Sequence, residues 1–126
     1  MTSEVEKPNR ISALLNNISH TNVDVALICG LKLLLKVVGN ILAEPSESKF
    51  RVVKKTNKAL HSRLFSLRGG MEPLMIQMGF KQVGLDSLLY EGHNFTVLRN
   101  AVNMIEKLVN PINEAHEEKQ EMLREN

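Results

Sequence analysis

The sequence predicts a mainly helical α+β domain, a small helical bundle with a short antiparallel hairpin or sheet. Three observations predict it. Long segments repeat apolar residues at helical spacing. Two strand-like runs, Phe80–Val83 and Ser87–Tyr90, flank a loop of Gly84-Leu85-Asp86. The chain has 126 residues, 43% of them hydrophobic, enough for one core and about one domain.

Residues 1–10 are polar and carry both charges, and are expected to form a flexible leader. Residues 11–110 read as the folded unit, and 111–126 as a charged tail, helical or frayed. Ile11, Leu14, Leu15 and Ile18 are spaced three, one and three, which predicts a short first helix over Ile11–Ile18. Thr21 or Asn22 is expected to cap the next helix. That helix, Val23–Leu42, is apolar at 14 of 20 positions and is predicted to be buried on most sides. Asp24, Lys32, Lys36 and Asn40 share one stripe of it, so one edge reaches water or a partner. The interruptions at Lys32, Lys36 and Asn40 argue against a membrane span. Cys29, inside this helix, is expected to be inert packing.

Pro45-Ser46-Glu47 reads as a stop followed by a start, with Ser46 as N-cap and Glu47 at the positive end of the helix dipole. Phe50, Val53, Leu60, Leu64 and Leu67 then predict a single helix over Glu47–Leu67. Asn57 falls at the midpoint of the one long gap in that stripe. A buried amide there costs roughly 1–3 kcal/mol if unpaired. Either it bonds a neighbouring loop, or the stripe opens into a pocket where the amide offers a donor and an acceptor. Gly69-Gly70 ends the helix. A short helix follows from about Met71–Pro73 to just before Gly79, with Met71, Met75 and Met78 filling the core. Asn94 is expected to cap a last helix, Phe95–Val109, and Pro111 to stop or kink it.

The net charge of +2 hides a strong local excess. Residues 47–68 hold Lys49, Arg51, Lys54, Lys55, Lys58, Arg63 and Arg68 against Glu47, a local +6. Such a run is either a solvated face or a site for acidic groups. His20, His61, His93 and His116 are scattered, and one cysteine can form neither an intramolecular disulfide nor a cysteine-based zinc site. No phosphate-binding glycine motif is present. The expectation is therefore no catalytic residues, no metal and no cofactor. Aromatic content of 4%, with no Trp, disfavours a stacking platform for nucleic acid.

Lys49-Phe50-Arg51, Asn57, Arg63-Leu64, Arg68-Gly69 and Met78-Gly79-Phe80 occur in an ordered combination, preceded by Asn40-Ile41-Leu42 shortly before Pro45. This pattern resembles the PUB (or PUG) domain, known from peptide:N-glycanase and from UBX-type adaptors, over roughly residues 11–109. The resemblance implies a non-catalytic peptide-recognition domain for the acidic-aromatic C-terminal tail of the valosin-containing AAA+ ATPase. It implies a role in ubiquitin-dependent protein quality control, in the cytoplasm or also the nucleus. The implied groove holds Asn40, Lys49, Phe50, Lys54, Asn57 and Leu60, with Arg51, Lys58 and Arg63 as a supporting basic face. Lys54 stands where the glycanase has an arginine, and Leu60 where it has an aromatic wall. A monomer with no nucleic-acid or membrane partner is expected. The alternatives are a PUB-type binder of another short motif, such as one in a deubiquitinase, a nucleic-acid module using a basic helix 47–68, and a purely structural helical bundle. Asn57 discriminates: a groove needs it reachable, and a scaffold needs it internally satisfied.

Overall fold

The computed structural model describes residues 6–92 and 95–125. The chain forms α1 (Glu6–Thr21), α2 (Asp24–Ala43), α3 (Ser48–Arg51), β1 (Val52–Lys54), a π-helical segment (Leu60–Leu64), α4 (Met71–Met78), β2 (Phe80–Val83), β3 (Ser87–Tyr90) and α5 (Thr96–Glu125). The fold is mainly helical with a three-stranded antiparallel sheet in the order β1-β3-β2. The β2–β3 hairpin has the anticipated bounds, with Val83 opposite Ser87 and Phe80 opposite Tyr90.

One core unites these elements. Ile11, Leu15 and Ile18 of α1 are buried, as are Leu98, Ala101, Ile105 and Val109 of α5, following their helical stripes. Met71, Met75 and Met78 of α4 are buried as expected. Val53, Leu88, Phe80 and Tyr90 close the core from the sheet.

Several local expectations are corrected. The single helix over Glu47–Leu67 does not form: the segment divides into α3, β1, a turn at 55–57 and a helix opening at Lys58. Val52-Val53 is a β-branched pair, which fits a pleated strand better than a helix interior. Pairing with Leu88 and Leu89 on β3 supplies the long-range partner that sequence spacing cannot reveal. There is accordingly no continuous basic helix over 47–68. Ser46 does not cap α3; Glu47 occupies that position, without a side-chain cap bond.

Thr21 and Asn22 do not cap α2 either, since Val23 holds the N-cap position. Both side chains turn to Arg68 instead. Asn22 donates from Nδ2 to the Arg68 carbonyl (2.8 Å) and accepts the Arg68 N–H at Oδ1 (3.0 Å). Thr21 Oγ1 donates to the same carbonyl (2.9 Å), and Asn17 Nδ2 to that of Gly69 (2.8 Å). The α1–α2 corner thus satisfies backbone groups at the Arg68-Gly69-Gly70 turn, a need that helix termini otherwise leave open. Gly69 and Gly70 take φ of 103° and 111°, a region that other residues rarely adopt.

α2 is less enclosed than its composition implies. Leu27, Leu31, Leu34, Val38 and Ile41 are fully buried, yet Val25, Cys29, Lys32 and Lys36 lie on an exposed stripe. Cys29 is therefore at the surface, not in the core. By length and hydropathy α2 is long and apolar enough to cross a membrane, despite the interruptions that argued otherwise. In this fold its apolar side packs on α5 and on the π-helical segment. Gly39, in the last half of α2, has nothing within 4 Å of the place a Cβ would occupy. Gly39→Ala is thus expected to stabilise the fold by roughly 0.5–1 kcal/mol, because it removes only the entropic cost of glycine in a helix. Urea unfolding of the two proteins checks this.

α5 runs on through Pro111 instead of stopping there. Proline removes one helical N–H bond. Its expected acceptor belongs to Lys107, an exposed residue, and Ile112 continues the apolar face onto the core. The cap expected at Asn94 lies outside the described residues.

Candidate functional site

Asn57 is not an interruption in a helix but the start of one. Its N–H bonds the Lys54 carbonyl (3.1 Å), closing the turn that leaves β1. Its Oδ1 accepts the Leu60 N–H (3.2 Å), and its carbonyl accepts the His61 N–H (2.8 Å). This is N-cap geometry, for which asparagine is a preferred residue. The premise of an amide trapped on an apolar stripe is corrected: Asn57 is exposed. Among the described residues its Nδ2 has no hydrogen-bond partner. The signal available in the sequence was Thr56-Asn57 placed after a β-branched pair.

The helix that Asn57 caps runs antiparallel to α2. Its far end, at Arg68, is clamped to Asn22 just before α2 begins. One turn earlier, the Arg63 carbonyl and the Leu67 side chain press on Gly30 of α2. Asn57 lies six residues before Arg63, about 9 Å of helix, and Lys36 lies about 9 Å beyond Gly30 in the matching direction. The cap therefore sits level with the C-terminal half of α2, where Lys36 and Asn40 lie. α3 packs on α2 as well. Asn40, Phe50 and Leu60 are half-buried, with Phe50 and Leu60 packed against the core, while Lys49, Lys54 and Asn57 are exposed. The ammonium of Lys49 lies 5.4 Å from the Phe50 ring centroid.

The helix itself is irregular at this point. Phe65 N–H bonds the Leu60 carbonyl (2.8 Å), five residues back, giving the π-helical geometry of Leu60–Leu64. Such insertions are often found at functional sites.

The basic side chains divide by task. Lys54, Lys58 and Arg63 are exposed, and no ion pair engages them among the described residues. Lys55 is instead paired with Glu72 (2.8 Å). Arg51 does not belong to the supporting basic face assigned to it. It donates Nε and Nη2 to the Pro45 carbonyl (2.9 and 2.8 Å) and Nη1 to the carbonyls of Tyr90 (3.0 Å) and Gly92 (2.9 Å). Its guanidinium carbon is 5.7 Å from the ring centroids of both Tyr90 and Phe95. Burial pushes the Tyr90 phenol above its ordinary pKa, while the nearby Arg51 charge pulls the other way.

An open cleft of about 800 Å³ is lined by Pro45, Ser46, Arg51, Leu89, Tyr90, Glu91 and Phe95. It contains none of the six groove residues. Two smaller clefts, of about 490 and 460 Å³, share Lys55 and His61. Among the described residues no group of three or more His, Cys, Asp or Glu could hold a metal ion.

The arrangement is a small helical bundle whose surface carries exposed cations, an exposed amide at Asn57 and the half-buried ring of Phe50. The profile of the PUB domain matches residues 25–111, and the chain belongs to that family of non-catalytic protein-interaction modules. It is also 43% identical over 51 residues to the peptide-N(4)-(N-acetyl-beta-glucosaminyl)asparagine amidases of Rattus norvegicus and Mus musculus. Each alignment covers 40% of this chain, and the chain spans only 8% of the length of those relatives.

Proposed function

We propose that this PUB domain holds the acidic-aromatic C-terminal tail of the valosin-containing AAA+ ATPase, linking its parent protein to ubiquitin-dependent quality control in the cytoplasm or nucleus. The observation that carries the reading is Asn57, exposed, with its Oδ1 capping a helix and its Nδ2 without a partner among the described residues. An exposed Nδ2 is open to donate to an incoming peptide carbonyl, which a buried and internally bonded amide would not be. The exposed Lys54, Lys58 and Arg63 complement an acidic ligand, and the half-buried Phe50 and Leu60 offer apolar surface to an aromatic side chain. An interface of this size sits at the weak, transient end, with affinity near micromolar, about −8 kcal/mol.

The capping role of Asn57 decides how the reading must be tested. Asn57→Ala removes the cap as well as the amide and is expected to cost roughly 0.5–2 kcal/mol of stability. Asn57→Ser keeps a capping oxygen but deletes Nδ2. Both variants are expected to lose roughly 1–3 kcal/mol of binding, while only the alanine variant loses appreciable stability. Calorimetry with the synthetic tail, beside thermal melts, measures both quantities. Wild-type affinity in Asn57→Ser would remove this amide from the site.

A further inference from the structure

The groove residues lie on both sides of β1 in the chain: Lys49 and Phe50 precede it, Lys54 ends it and Asn57 follows. What β1 presents between them is an open strand edge. The sheet order β1-β3-β2 leaves β1 paired on one side only. Among the described residues, the elements that pack appreciably on β1 are β3 and the contiguous α3. Val52 is 41% exposed and Lys54 is exposed, whereas Val53 between them is buried.

The register fixes which backbone groups face outward. Val52 is opposite Leu89, Val53 opposite Leu88 and Lys54 opposite Ser87. Lys55 N–H bonds the Asp86 carbonyl (2.7 Å), so the next position in this register is a hydrogen-bonded pair. Hydrogen-bonded and non-hydrogen-bonded pairs alternate in an antiparallel ladder. Val53 therefore exchanges its bonds with Leu88, and the N–H and C=O groups of Val52 and Lys54 point away from β3. The Lys54 carbonyl confirms the parity, since it accepts the Asn57 N–H from the outer side (3.1 Å). Three groups remain on the edge: the Val52 N–H, the Val52 C=O and the Lys54 N–H.

We infer that the bound peptide adds to this edge as a short fourth strand, exchanging two main-chain hydrogen bonds with Val52 and lying alongside the Lys54 N–H. The inference rests on the peptide-binding reading above and states the geometry by which the site works. Charge selects the occupant. A second copy of this edge would bring Lys54 against the like charges of its twin, which is how edge strands resist self-pairing. An acidic extended segment meets Lys54 and Lys58 favourably. Main-chain pairing supplies affinity that is tolerant of sequence, and the neighbouring side chains read the peptide's alternate residues.

Amide hydrogen exchange on the full chain tests this, using the synthetic C-terminal tail of the ATPase as probe. In the free protein Val52 and Lys54 are expected to exchange rapidly and Val53 slowly. At saturation Val52 and Lys54 should slow at least tenfold while Val53 changes little. A series of tails, each with one peptide bond replaced by an ester, should contain one that binds at least tenfold more weakly. Slow exchange of Val52 in the free protein would give its N–H an internal partner and overturn the inference. Calorimetric binding with Val52 and Lys54 unprotected, or with every ester analogue as tight as the parent, would overturn strand addition and leave peptide binding standing. No binding by the wild-type chain would overturn both.

Discussion

Arg51→Ala is expected to lower the melting temperature by roughly 10–15 °C, about 3 kcal/mol, with the protein still two-state near room temperature. One guanidinium ties the Pro45 carbonyl of the α2–α3 turn to the Tyr90 and Gly92 carbonyls at the end of β3. Hydrogen bonds from a charged donor contribute about 1.5–3 kcal/mol each, and a carbonyl left unpaired adds a desolvation cost. The sum overstates the loss, because the site borders an open cleft and water can reach part of it. Arg51→Lys is expected to recover little. A lysine cannot direct donors to three carbonyls from one plane or lie flat beside the rings of Tyr90 and Phe95. Thermal and urea melts of both variants check this, and a lysine variant as stable as wild type would reduce the role of Arg51 to its charge.

Gly30→Ala is the second large effect. A Cβ at this position would lie 2.5 Å from the Arg63 carbonyl oxygen and closer still to the Leu67 side chain. The two helices would have to part. Overpacking of this kind typically costs 1–3 kcal/mol, and because one obstacle is backbone we expect about 2–3 kcal/mol. A double variant with Leu67→Ala relieves the side-chain clash but not the carbonyl clash, so adding Gly30→Ala to a Leu67→Ala background is still expected to destabilise the fold. The parting would also shift the helix that Asn57 caps relative to α2. Peptide affinity in Gly30→Ala is therefore expected to fall as well.

The likeness between Gly30 and Gly39 in sequence, and their difference in the fold, shows where reading stops. Both interrupt the same apolar helix. Gly30 allows a close helix crossing, and Gly39 faces open space. Nothing within α2 distinguishes them, because the distinction belongs to the partner surface.

Periodicity carried the helices α1, α2, α4 and α5 and the β2–β3 hairpin, since each buries one face at a spacing set by its own geometry. The candidate residues Asn40, Lys49, Phe50, Lys54, Asn57 and Leu60 were also visible, through charge density and through the ordered pattern shared with PUB domains. Over residues 47–67 the spacing misleads, because intervals of three, four and seven are satisfied equally by separate short elements. Its strand exists only by virtue of Val52–Lys54 pairing with Ser87–Leu89, more than thirty residues away. Pairing between distant strands is invisible in local spacing, and so is the preference of Arg51, Thr21 and Asn22 for distant carbonyls over a ligand or a helix cap. Composition and period dictate which residues must leave water, because that cost is local to each side chain. Which backbone groups stay open at a strand edge, and which cations remain unspent for a partner, depends on what the rest of the chain brings alongside them.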